Sequence, residues 1–340
     1  MPRLLSRLFK PGGIGILLKN RMMVATLAAA SVLAAAPRAH ADVFPDKPVR
    51  MVIPLAPGGG SDIVGRIVAQ GLTEHWGKTV VVDNRPGAGS IVGTAIVAKT
   101  PGDGYTLLVS SSSFAISPAL YKNSGFDARR DFTGITLLAS QPSLLVVNSN
   151  VQAKTLKELL AQAQARPGGL SYGSAGVGSA THLGSELFLH VAKQKMQHVP
   201  YKSAGLATNA VLNGEVQVLL TNAASVLPHL SGGKLRAIGV TAKERTAQAP
   251  EVPTLHEAGL PGFEYTTWYG AWVPATTPKA VVGRLHQSFQ AALAVPAVNS
   301  LLVKTGLQVY RMPQPEFAKY VEAEMQRWKT VIDAAGIKAE

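Results

Sequence analysis

Short apolar runs alternate with longer amphipathic segments along most of the chain after residue 42. Residues 49–55, 79–82 and 105–109 are short and rich in aliphatic side chains, which is typical of buried strands. Residues 61–76 carry apolar side chains at helical spacing. This alternation predicts an α/β architecture of strand–helix units with mostly parallel sheets.

Two details of the expected element pattern bear on the architecture. Residues 135–138 and 144–147 are two further apolar runs, and they predict two separate strands. Residues 250–262 are rich in Pro and Gly, a composition typical of a linker. We therefore expect this segment to connect two packed regions of the chain.

The first 41 residues have the features of a secretory signal peptide. They contain six Lys or Arg residues and no acidic residue, and an apolar run covers residues 22–36. Ala39-His40-Ala41 supplies a small-residue cleavage motif, so we expect cleavage after Ala41 and export to the periplasm. The alternative is a membrane anchor, but the apolar run is shorter than the roughly 20 residues that a spanning helix needs.

Charge and cysteine content exclude several classes of protein. The formal net charge of +13 falls to +7 once the six positive charges of the leader are removed. The remaining Lys and Arg residues are scattered rather than clustered with aromatic residues, so we expect no nucleic-acid partner. The chain contains no Cys, which excludes disulfides, thiolate metal sites and a cysteine nucleophile.

Two loops rich in Gly and Ser each follow an expected strand and open an expected helix. The first loop, residues 55–62, reads Leu-Ala-Pro-Gly-Gly-Gly-Ser-Asp, and the second loop, residues 173–181, reads Gly-Ser-Ala-Gly-Val-Gly-Ser-Ala-Thr. The first N–H groups of a helix have no partner within it, and the helix dipole is positive there. Ligands of α/β proteins gather at the carboxyl ends of strands, where such loops lie. Facing loops of this kind predict a carboxylate site.

Each loop also has a purely structural interpretation. Gly-rich turns between a strand and a helix often only allow the two elements to pack closely. Asp62 is more typical of a residue that ties down the loop than of a catalytic acid. Ser61 is as well suited to capping the helix as to contacting a ligand.

Other polar residues follow expected strands. Residues 110–113 are four consecutive serines, which either donate hydroxyl groups to a polar ligand or form a solvated turn. Thr221 and Asn222 follow another apolar run and have the same two interpretations. His182 is interpreted as a polar helix residue near the second loop. These residues are secondary candidates for the same site.

Motifs for cofactors and catalysis are weak. Residues 87–93 read Gly-Ala-Gly-Ser-Ile-Val-Gly and resemble a dinucleotide loop only faintly, because no acidic residue ends the next strand. The phosphate-loop motif is absent, and the histidines do not pair at metal-ligand spacing. Trp268 and Tyr269 either line a cleft or pack, and packing is slightly favoured. We expect no cofactor, no metal ion and no catalytic residue.

Many short motifs follow one another along the mature chain. They are residues 44–50 (Phe-Pro-Asp-Lys-Pro-Val-Arg), 53–62, 83–89 (Asp-Asn-Arg-Pro-Gly-Ala-Gly), 98–107, 181–183, 198–202 (His-Val-Pro-Tyr-Lys), 228–230, 233–237, 252–254, 257–263 and 334–337. In this order the set resembles the tripartite tricarboxylate transporter substrate-binding proteins, the Bug family of periplasmic solute-binding proteins. The resemblance covers nearly the whole mature chain.

The resemblance implies a bilobed α/β fold of the periplasmic-binding-protein type II kind, in which two domains joined by a hinge close on the ligand. Domain 1 would comprise residues 42–142 and 265–340, and domain 2 residues 143–264. A small organic acid would be held by one carboxylate between the first and second loops. The family's usual partners are two membrane subunits of a transporter, and a monomer is expected.

The sequence departs from the family pattern at three positions. Leu55 stands where Phe is common, Ser203 where Gly is usual, and Thr221 where an acidic residue is common. These differences leave the two loops intact. They bear on the shape of the cleft and on the charge at the far end of the ligand.

We therefore expect an exported, non-catalytic solute-binding protein for a small carboxylate. The alternatives are a ligand-sensing module for a membrane signalling partner, and a periplasmic α/β hydrolase, for which no nucleophile–base–acid set can be assembled. The candidate ligand-binding residues are Leu55, Gly58, Gly59, Gly60, Ser61, Asp62, Ser111, Ser112, Ser174, Ala175, Gly178, Ser179, Thr181, His182, Thr221 and Asn222.

Overall fold

A computed structural model describes residues 44–121, 123–166 and 168–338 of the protein. The expected signal peptide and its cleavage site after Ala41 lie outside these residues. The strands are β1 (Val49–Ile53), β2 (Val80–Asn84), β3 (Thr106–Ser111), β4 (Phe132–Asn148), β5 (Ser171–Ser174), β6 (Gln197–Pro200), β7 (Val218–Asn222), β8 (Leu235–Val240), β9 (Thr266–Pro274) and β10 (Gln308–Val309).

The helices lie between these strands and after β9. They are α1 (Gly60–Trp76), α2 (Ile91–Ala98), α3 (Ser113–Leu120), α4 (Leu156–Ala165), α5 (Ala180–Val191), α6 (Ala204–Asn213), α7 (Ala223–Leu230), α8 (Lys279–Ala294), α9 (Pro296–Lys304) and α10 (Gln314–Ala335). The predicted alternation of strands and helices is therefore present, and the fold is mixed α/β.

The strands form one ten-stranded sheet in the order β2-β1-β3-β9-β4-β7-β5-β6, with β8 and β10 also paired to β4. Parallel pairing joins β1 to β2 and β3, and joins β5 to β6 and β7. The prediction of mostly parallel sheets is wrong, because β4 and β9 are long and pair antiparallel with all their neighbours. The sequence predicted two short strands within β4 and no strand at the position of β9.

Strand β4 is continuous over 17 residues, where two separate strands were predicted. Its residues up to Pro142 pair with β9, and its residues from Ser143 onward pair with β7 and β8. We call β1–β3, β9, β10 and residues 132–142 the first half-sheet, and β5–β8 with residues 143–148 the second half-sheet. A single strand therefore runs from one half-sheet into the other.

Helices cover both faces of each half-sheet. On the first half-sheet, one apolar core joins α1, α8 and α9, and the other joins α3 and α10. On the second half-sheet, one core joins α4 and α5, and the other joins α6 and α7. Each half is thus a three-layer α/β unit, which places the carboxyl ends of its parallel strands next to helix N-termini.

Helix α10 contributes to cores in both halves. Phe317 and Met325 pack beside Trp272 on the first half-sheet. Trp328 and Ile332, further along the same helix, pack with Leu145 on the second half-sheet. The final helix therefore connects the two halves at a place remote from the first and second loops in sequence.

The sequence predicted that the Pro/Gly-rich segment 250–262 is a linker. The structure shows instead that it packs into the second half. Val252, Leu255 and Leu260 are buried in the cores of the second half-sheet. The segment also adds to the edge of the sheet, since Leu255 N donates to Val240 O at 2.8 Å. Burial of these apolar side chains outweighs the turn-forming composition of the segment.

Candidate functional site

The first loop leads from β1 into α1, and Asp62 holds its conformation. The Asp62 carboxylate accepts hydrogen bonds from Gly58 N at 3.1 Å, from Asn84 Nδ2 at 3.0 Å and from Arg66 Nε at 3.0 Å. Gly58 has a φ of +85°, a conformation that glycine adopts without strain. Because its oxygens are engaged by groups of the chain, Asp62 orders the loop, in line with its structural interpretation.

The start of α1 offers hydrogen-bond donors that the chain does not use. Gly59 is the N-cap residue and provides no side-chain cap. Within the described residues, no hydrogen bond involves the backbone amides of Gly60 and Ser61. The Ser61 hydroxyl is buried and also lacks a partner there. These donors lie at the positive end of the helix dipole and suit an anion.

Gly60 is closely approached by two polar side chains. A Cβ built on Gly60 would lie 2.0 Å from the Tyr269 hydroxyl oxygen and 3.0 Å from Asn222 Nδ2. Tyr269 belongs to β9, and Asn222 ends β7 in the second half-sheet. Any side chain at position 60 would therefore collide with this polar cluster, so glycine is required by space.

The second loop leads from β5 into α5 and uses most of its amides internally. Ala175 N donates to Thr181 Oγ1 at 2.8 Å, and Gly176 N donates to Ser174 Oγ at 3.0 Å. Ser179 caps α5, since its hydroxyl accepts from His182 N at 3.2 Å. The second loop thus presents fewer free donors than the first loop, where the sequence had suggested two similar loops.

Two stacked histidines, the buried His182 and the partly exposed His198, support the second loop. His182 Nδ1 accepts a hydrogen bond from Gly178 N at 3.2 Å, and the His182 ring stacks on His198 at 4.2 Å between centroids. His198 Nε2 lies 2.7 Å from the Ser174 hydroxyl. Burial, with a smaller effect of His198, lowers the pKa of His182 to about 3. His182 is therefore neutral at physiological pH and acts as an acceptor that shapes the loop.

The first loop contacts the second half of the molecule along one rim, which we call the first rim. Ala56 N donates to Lys202 O at 3.1 Å, and the Ser203 hydroxyl donates to Pro57 O at 3.2 Å. Leu55 packs with Ala175 and Ala204 in a small apolar cluster at the same rim. The first loop is therefore in direct contact with the segment that follows β6 and with the second loop.

A second rim joins the halves on the side of the second loop. The Tyr121 hydroxyl donates to Val177 O at 2.7 Å. Ala180 N, the first amide of α5, donates to the Ser113 hydroxyl at 3.0 Å. Ser113 lies at the start of α3, after β3 of the first half-sheet. The serine-rich segment thus binds the second loop directly instead of forming a solvated turn.

Residues 87–90 form a strained segment beside the second loop. The φ values of Gly87, Ala88, Gly89 and Ser90 are 151°, 43°, 58° and 104°. A Cβ on Gly89 would lie 1.9 Å from Val177 O, so only glycine fits there. A positive φ at Ala88 and at Ser90 costs about 1–3 kcal/mol each. These backbone conformations persist only because the surrounding structure enforces them. The segment therefore packs directly against the second loop.

A model of the tripartite tricarboxylate transporter family receptor, TctC, matches residues 64–337. The chain belongs to this family. The resemblance inferred from the sequence motifs is thereby confirmed. The matched range includes α1 from residue 64 onward and the whole second loop, and it begins after the first loop.

Solved structures of periplasmic binding proteins are similar to this TctC-family receptor over most of its length. The periplasmic binding protein BugD matches with a TM-score of 0.84 and 32% identity, covering 87% of this chain and 100% of that chain. A protein from R. palustris with adipate matches with a TM-score of 0.83 and 32% identity, covering 87% and 99%. MatC from Rhodopseudomonas palustris with bound malate matches with a TM-score of 0.82 and 30% identity, covering 85% and 100%. The predicted bilobed periplasmic-binding-protein fold is confirmed.

The predicted site residues of this TctC-family receptor lie on the facing loops and on the strand ends beside them. Asn222 reaches Gly60 of the first loop, although its Oδ1 also accepts from Ser225 N and so caps α7. Ser111 lies behind the second rim, where its hydroxyl is 2.9 Å from that of Ser113. Ser112, directly before α3, and Thr221, in β7, are both fully buried.

Sequence reasoning did not single out Tyr121 and Gln141. The Tyr121 hydroxyl donates to Val177 O of the second loop, and Gln141 donates to the Tyr269 hydroxyl. Tyr269, for which packing was slightly favoured over lining a cleft, does pack, but its hydroxyl also lies beside Gly60. The Gly-Ala-Gly pattern at residues 87–89 was the available signal for the strained segment.

The chain contains one Gly-x-Ser-x-Gly pattern, residues 169–173, which the hydrolase alternative would require. Ser171 lies within β5, and its hydroxyl donates to Gln217 Oε1 at 3.0 Å. A nucleophile elbow instead places its serine on a sharp turn between strand and helix. Across the described ranges, no cluster of three His, Asp or Glu side chains could hold a metal ion. In the same residues no helix is both long and apolar enough to cross a membrane.

Proposed function

We propose that this TctC-family receptor captures a small organic acid by holding one carboxylate between the first and second loops. The observation that carries the proposal is the uncapped start of α1, where the Gly60 and Ser61 amides and the Ser61 hydroxyl have no partner within the described residues. The adipate and malate held by two similar structures support a carboxylate as the ligand.

The energy available from these donors is sufficient for useful affinity. A hydrogen bond to a charged group contributes about 1.5–3 kcal/mol, and a partly buried helix terminus adds up to about 2 kcal/mol. Three such contacts give about 5–11 kcal/mol before the cost of association and ordering is subtracted, which supports binding in the millimolar to micromolar range. No cationic side chain is needed to hold the ligand in this scheme.

We further propose that the receptor works in the periplasm after cleavage at Ala41, as a monomer without catalytic activity. The two domains, residues 42–142 with 265–340 and residues 143–264, close when the ligand binds. The ligand bridges both domains and so stabilises the closed state relative to the open state. The closed receptor then delivers the acid to the membrane subunits of a tripartite transporter, as the family name implies.

The first test is a thermal-shift screen of the purified mature protein with mono-, di- and tricarboxylates, followed by calorimetry on the best compound. A ligand raises the melting temperature by mass action. Gly60→Ala should abolish detectable binding, because the new Cβ would occupy the space beside the Tyr269 hydroxyl. The matched control is Gly283→Ala, because a Cβ at Gly283 in α8 meets nothing within 4 Å.

Two outcomes would overturn the proposed function. One is that none of the carboxylates shifts the melting temperature while an uncharged solute does. The other is that Gly60→Ala binds the best acid as tightly as Gly283→Ala does. Thermal unfolding of both variants separates a loss of binding from a loss of folding.

A further inference from the structure

A cavity of about 450 Å³, which we call the α8 cavity, lies at the amino edge of the parallel strands of the first half-sheet. Its lining includes Thr133, Thr277, Lys279, Gly283, His286 and Gln314. Strand β9 runs antiparallel to β3 and ends at Pro274, so the residues that follow Pro274 lie at this edge. The first loop follows β1 at the opposite, carboxyl edge. The α8 cavity is therefore separate from the site proposed for the carboxylate.

The start of α8 offers backbone donors that the chain does not use. Pro278 is the N-cap residue and provides no side-chain cap, and the first turn of this 16-residue helix carries no acidic residue. Val281 N and Val282 N both donate to Pro278 O. The amides of Lys279 and Ala280, in contrast, make no hydrogen bond with any described residue. These two amides lie at the positive end of the helix dipole.

A buried hydroxyl group in the lining of the α8 cavity is an independent sign of a ligand. Thr277 directly precedes the N-cap residue and is 6% exposed. Its hydroxyl oxygen is buried and has no hydrogen-bond partner among the residues that the structure describes. Leaving such a group unpaired costs roughly 1–3 kcal/mol, so buried polar atoms are normally satisfied. An acceptor bound in the cavity completes this hydrogen bond.

The side chains around the α8 cavity favour a negative charge. Lys279 and His286 are seven residues, or about two turns, apart and so share one face of the helix. Lys279 forms no ion pair within the described part of the chain. His286 Nδ1 lies 3.0 Å from Ile135 O, and because a carbonyl oxygen only accepts, Nε2 is the ring nitrogen left for a ligand. None of the described residues that line the cavity is acidic.

Gly283 keeps the α8 cavity open. It follows Lys279 by four residues and therefore lies on the same face of α8. A Cβ built on Gly283 meets nothing within 4 Å. Since Gly283 itself lines the cavity, a larger side chain at this position would take up part of the cavity volume without colliding with the protein.

We propose that the α8 cavity binds a phosphate group, either as inorganic phosphate or as part of a small phosphate ester. The Lys279 and Ala280 amides and the Thr277 hydroxyl donate to the phosphate oxygens. The side chains of Lys279 and His286 lie beside its charge. A phosphate group has three acceptor oxygens and a larger charge than a carboxylate, so it can use these donors at the same time. This second site stands whether or not the first loop binds a carboxylate.

The test measures binding of inorganic phosphate and of glycerol 3-phosphate to the mature protein, by calorimetry in a phosphate-free buffer at constant ionic strength. We expect saturable binding of at least one of the two, with acetate binding roughly tenfold more weakly or worse. Tighter binding of inorganic phosphate identifies the free ion as the occupant of the cavity. Tighter binding of glycerol 3-phosphate identifies a phosphate ester.

Variants of the lining identify the residues responsible. Thr277→Val and Lys279→Ala should each weaken phosphate binding roughly three- to tenfold, as expected for one polar contact. The matched control is Lys157→Ala, because Lys157 also lies in the first turn of a helix, α4, but the Thr155 hydroxyl caps that helix. It should leave phosphate affinity within about twofold. Gly283→Leu should abolish binding while the protein stays folded, because leucine favours a helix more than glycine does.

Gly60→Ala separates the α8 cavity from the first loop. This variant should bind phosphate as tightly as the original protein does, because Gly60 lies at the opposite edge of the half-sheet. If Gly60→Ala is folded but has lost phosphate binding, phosphate occupies the first loop and the α8 cavity is not its site. Three other results also overturn the assignment: neither phosphate compound binds, acetate binds as tightly, or binding survives in Gly283→Leu. Thermal unfolding shows whether each variant is folded.

Discussion

At the scale of single residues, the site is marked by polar groups that the chain leaves unsatisfied. Asp62 and His182 are fully engaged and hold their loops. The Ser61 hydroxyl, in contrast, is buried and unpaired within the described part of the chain. Residues that support a loop have hydrogen-bond partners within the protein, whereas candidate ligand contacts do not. Replacing a supporting residue should therefore lower stability, and replacing a candidate ligand contact should lower affinity.

Replacing Ser61 should affect binding and not folding. Ser61→Ala removes a donor that we propose contacts the ligand, but it breaks no side-chain hydrogen bond with any described residue. We expect affinity for the carboxylate to fall roughly three- to tenfold. The free energy of unfolding should stay within about 0.5 kcal/mol of the original protein. Calorimetry and chemical denaturation measure the two quantities, and a large loss of stability would contradict the assignment.

His182 should make stability depend on pH. Its pKa is about 3 in the folded protein, below the usual 6.5, so the unfolded chain binds the proton more readily. Its contribution is complete above about pH 6.5 and is lost as pH falls towards 3, with a slope of at most about 1.4 kcal/mol per pH unit. Denaturant unfolding between pH 7 and 5 should show a smaller slope in His182→Gln. If the free energy of unfolding depends on pH equally in the original protein and in His182→Gln, His182 is not the source of the pH dependence.

At the scale of elements, two rims of hydrogen bonds join the two halves beside the first and second loops. Each rim has two hydrogen bonds between groups of opposite halves. A hydrogen bond contributes about 0.5–1.5 kcal/mol net, so the rims together shift the balance between open and closed states by a few kcal/mol. The ligand therefore adds to an interface that the protein itself already forms.

Tyr121 provides the most direct test of the rims. Tyr121→Phe removes the hydroxyl that donates to Val177 O and leaves the ring in place. We expect ligand dissociation to accelerate roughly two- to tenfold in stopped-flow measurements, because the closed state is weakened. Tyr105→Phe is the matched control, since the Tyr105 hydroxyl donates to Asp46 at 2.6 Å, outside both rims. Equal acceleration in both variants would refute a specific role of the second rim.

The sequence predicts those elements whose signals are local. Both loops were found because glycine and serine interrupt helical and strand periodicity at residues 55–62 and 173–181. The continuity of β4 was missed, since Pro142 and polar neighbours divide its apolar pattern. The meeting of Gly60, Asn222 and Tyr269 could not be predicted, because pairing across the sheet brings together residues far apart in the chain.

At the scale of the whole molecule, the proposed function requires that the contact between the two α/β units opens and closes. The first rim brings Gly59 close to Ala204 across that contact, with 3.7 Å between the Cβ position of Gly59 and that of Ala204. This separation lies within the range of about 3.5–4.5 Å found in disulfides. The φ of −92° at Gly59 is open to any amino acid. The closed state can therefore be fixed covalently.

A double variant, Gly59→Cys with Ala204→Cys, should lock the molecule. The chain has no other cysteine, so a single defined disulfide can form. We expect the oxidised protein to exclude added ligand in calorimetry, and reduction by dithiothreitol to restore binding. Each single variant, treated identically, serves as a control. If the oxidised protein exchanges ligand at the original rate, opening of this rim is not required for entry.

The cores of both half-sheets depend on the same helix, α10, which lies outside the first and second loops. Its Phe317 and Met325 complete a core of the first half-sheet, while Trp328 and Ile332 complete a core of the second. A deletion that removes only the last turns of this helix would remove Trp328 and Ile332 from the core of the second half-sheet, whose strands come much earlier in the chain. We therefore expect that neither half folds as an isolated fragment. Because α10 contributes to cores of both halves, truncation at the carboxyl terminus should destabilise both.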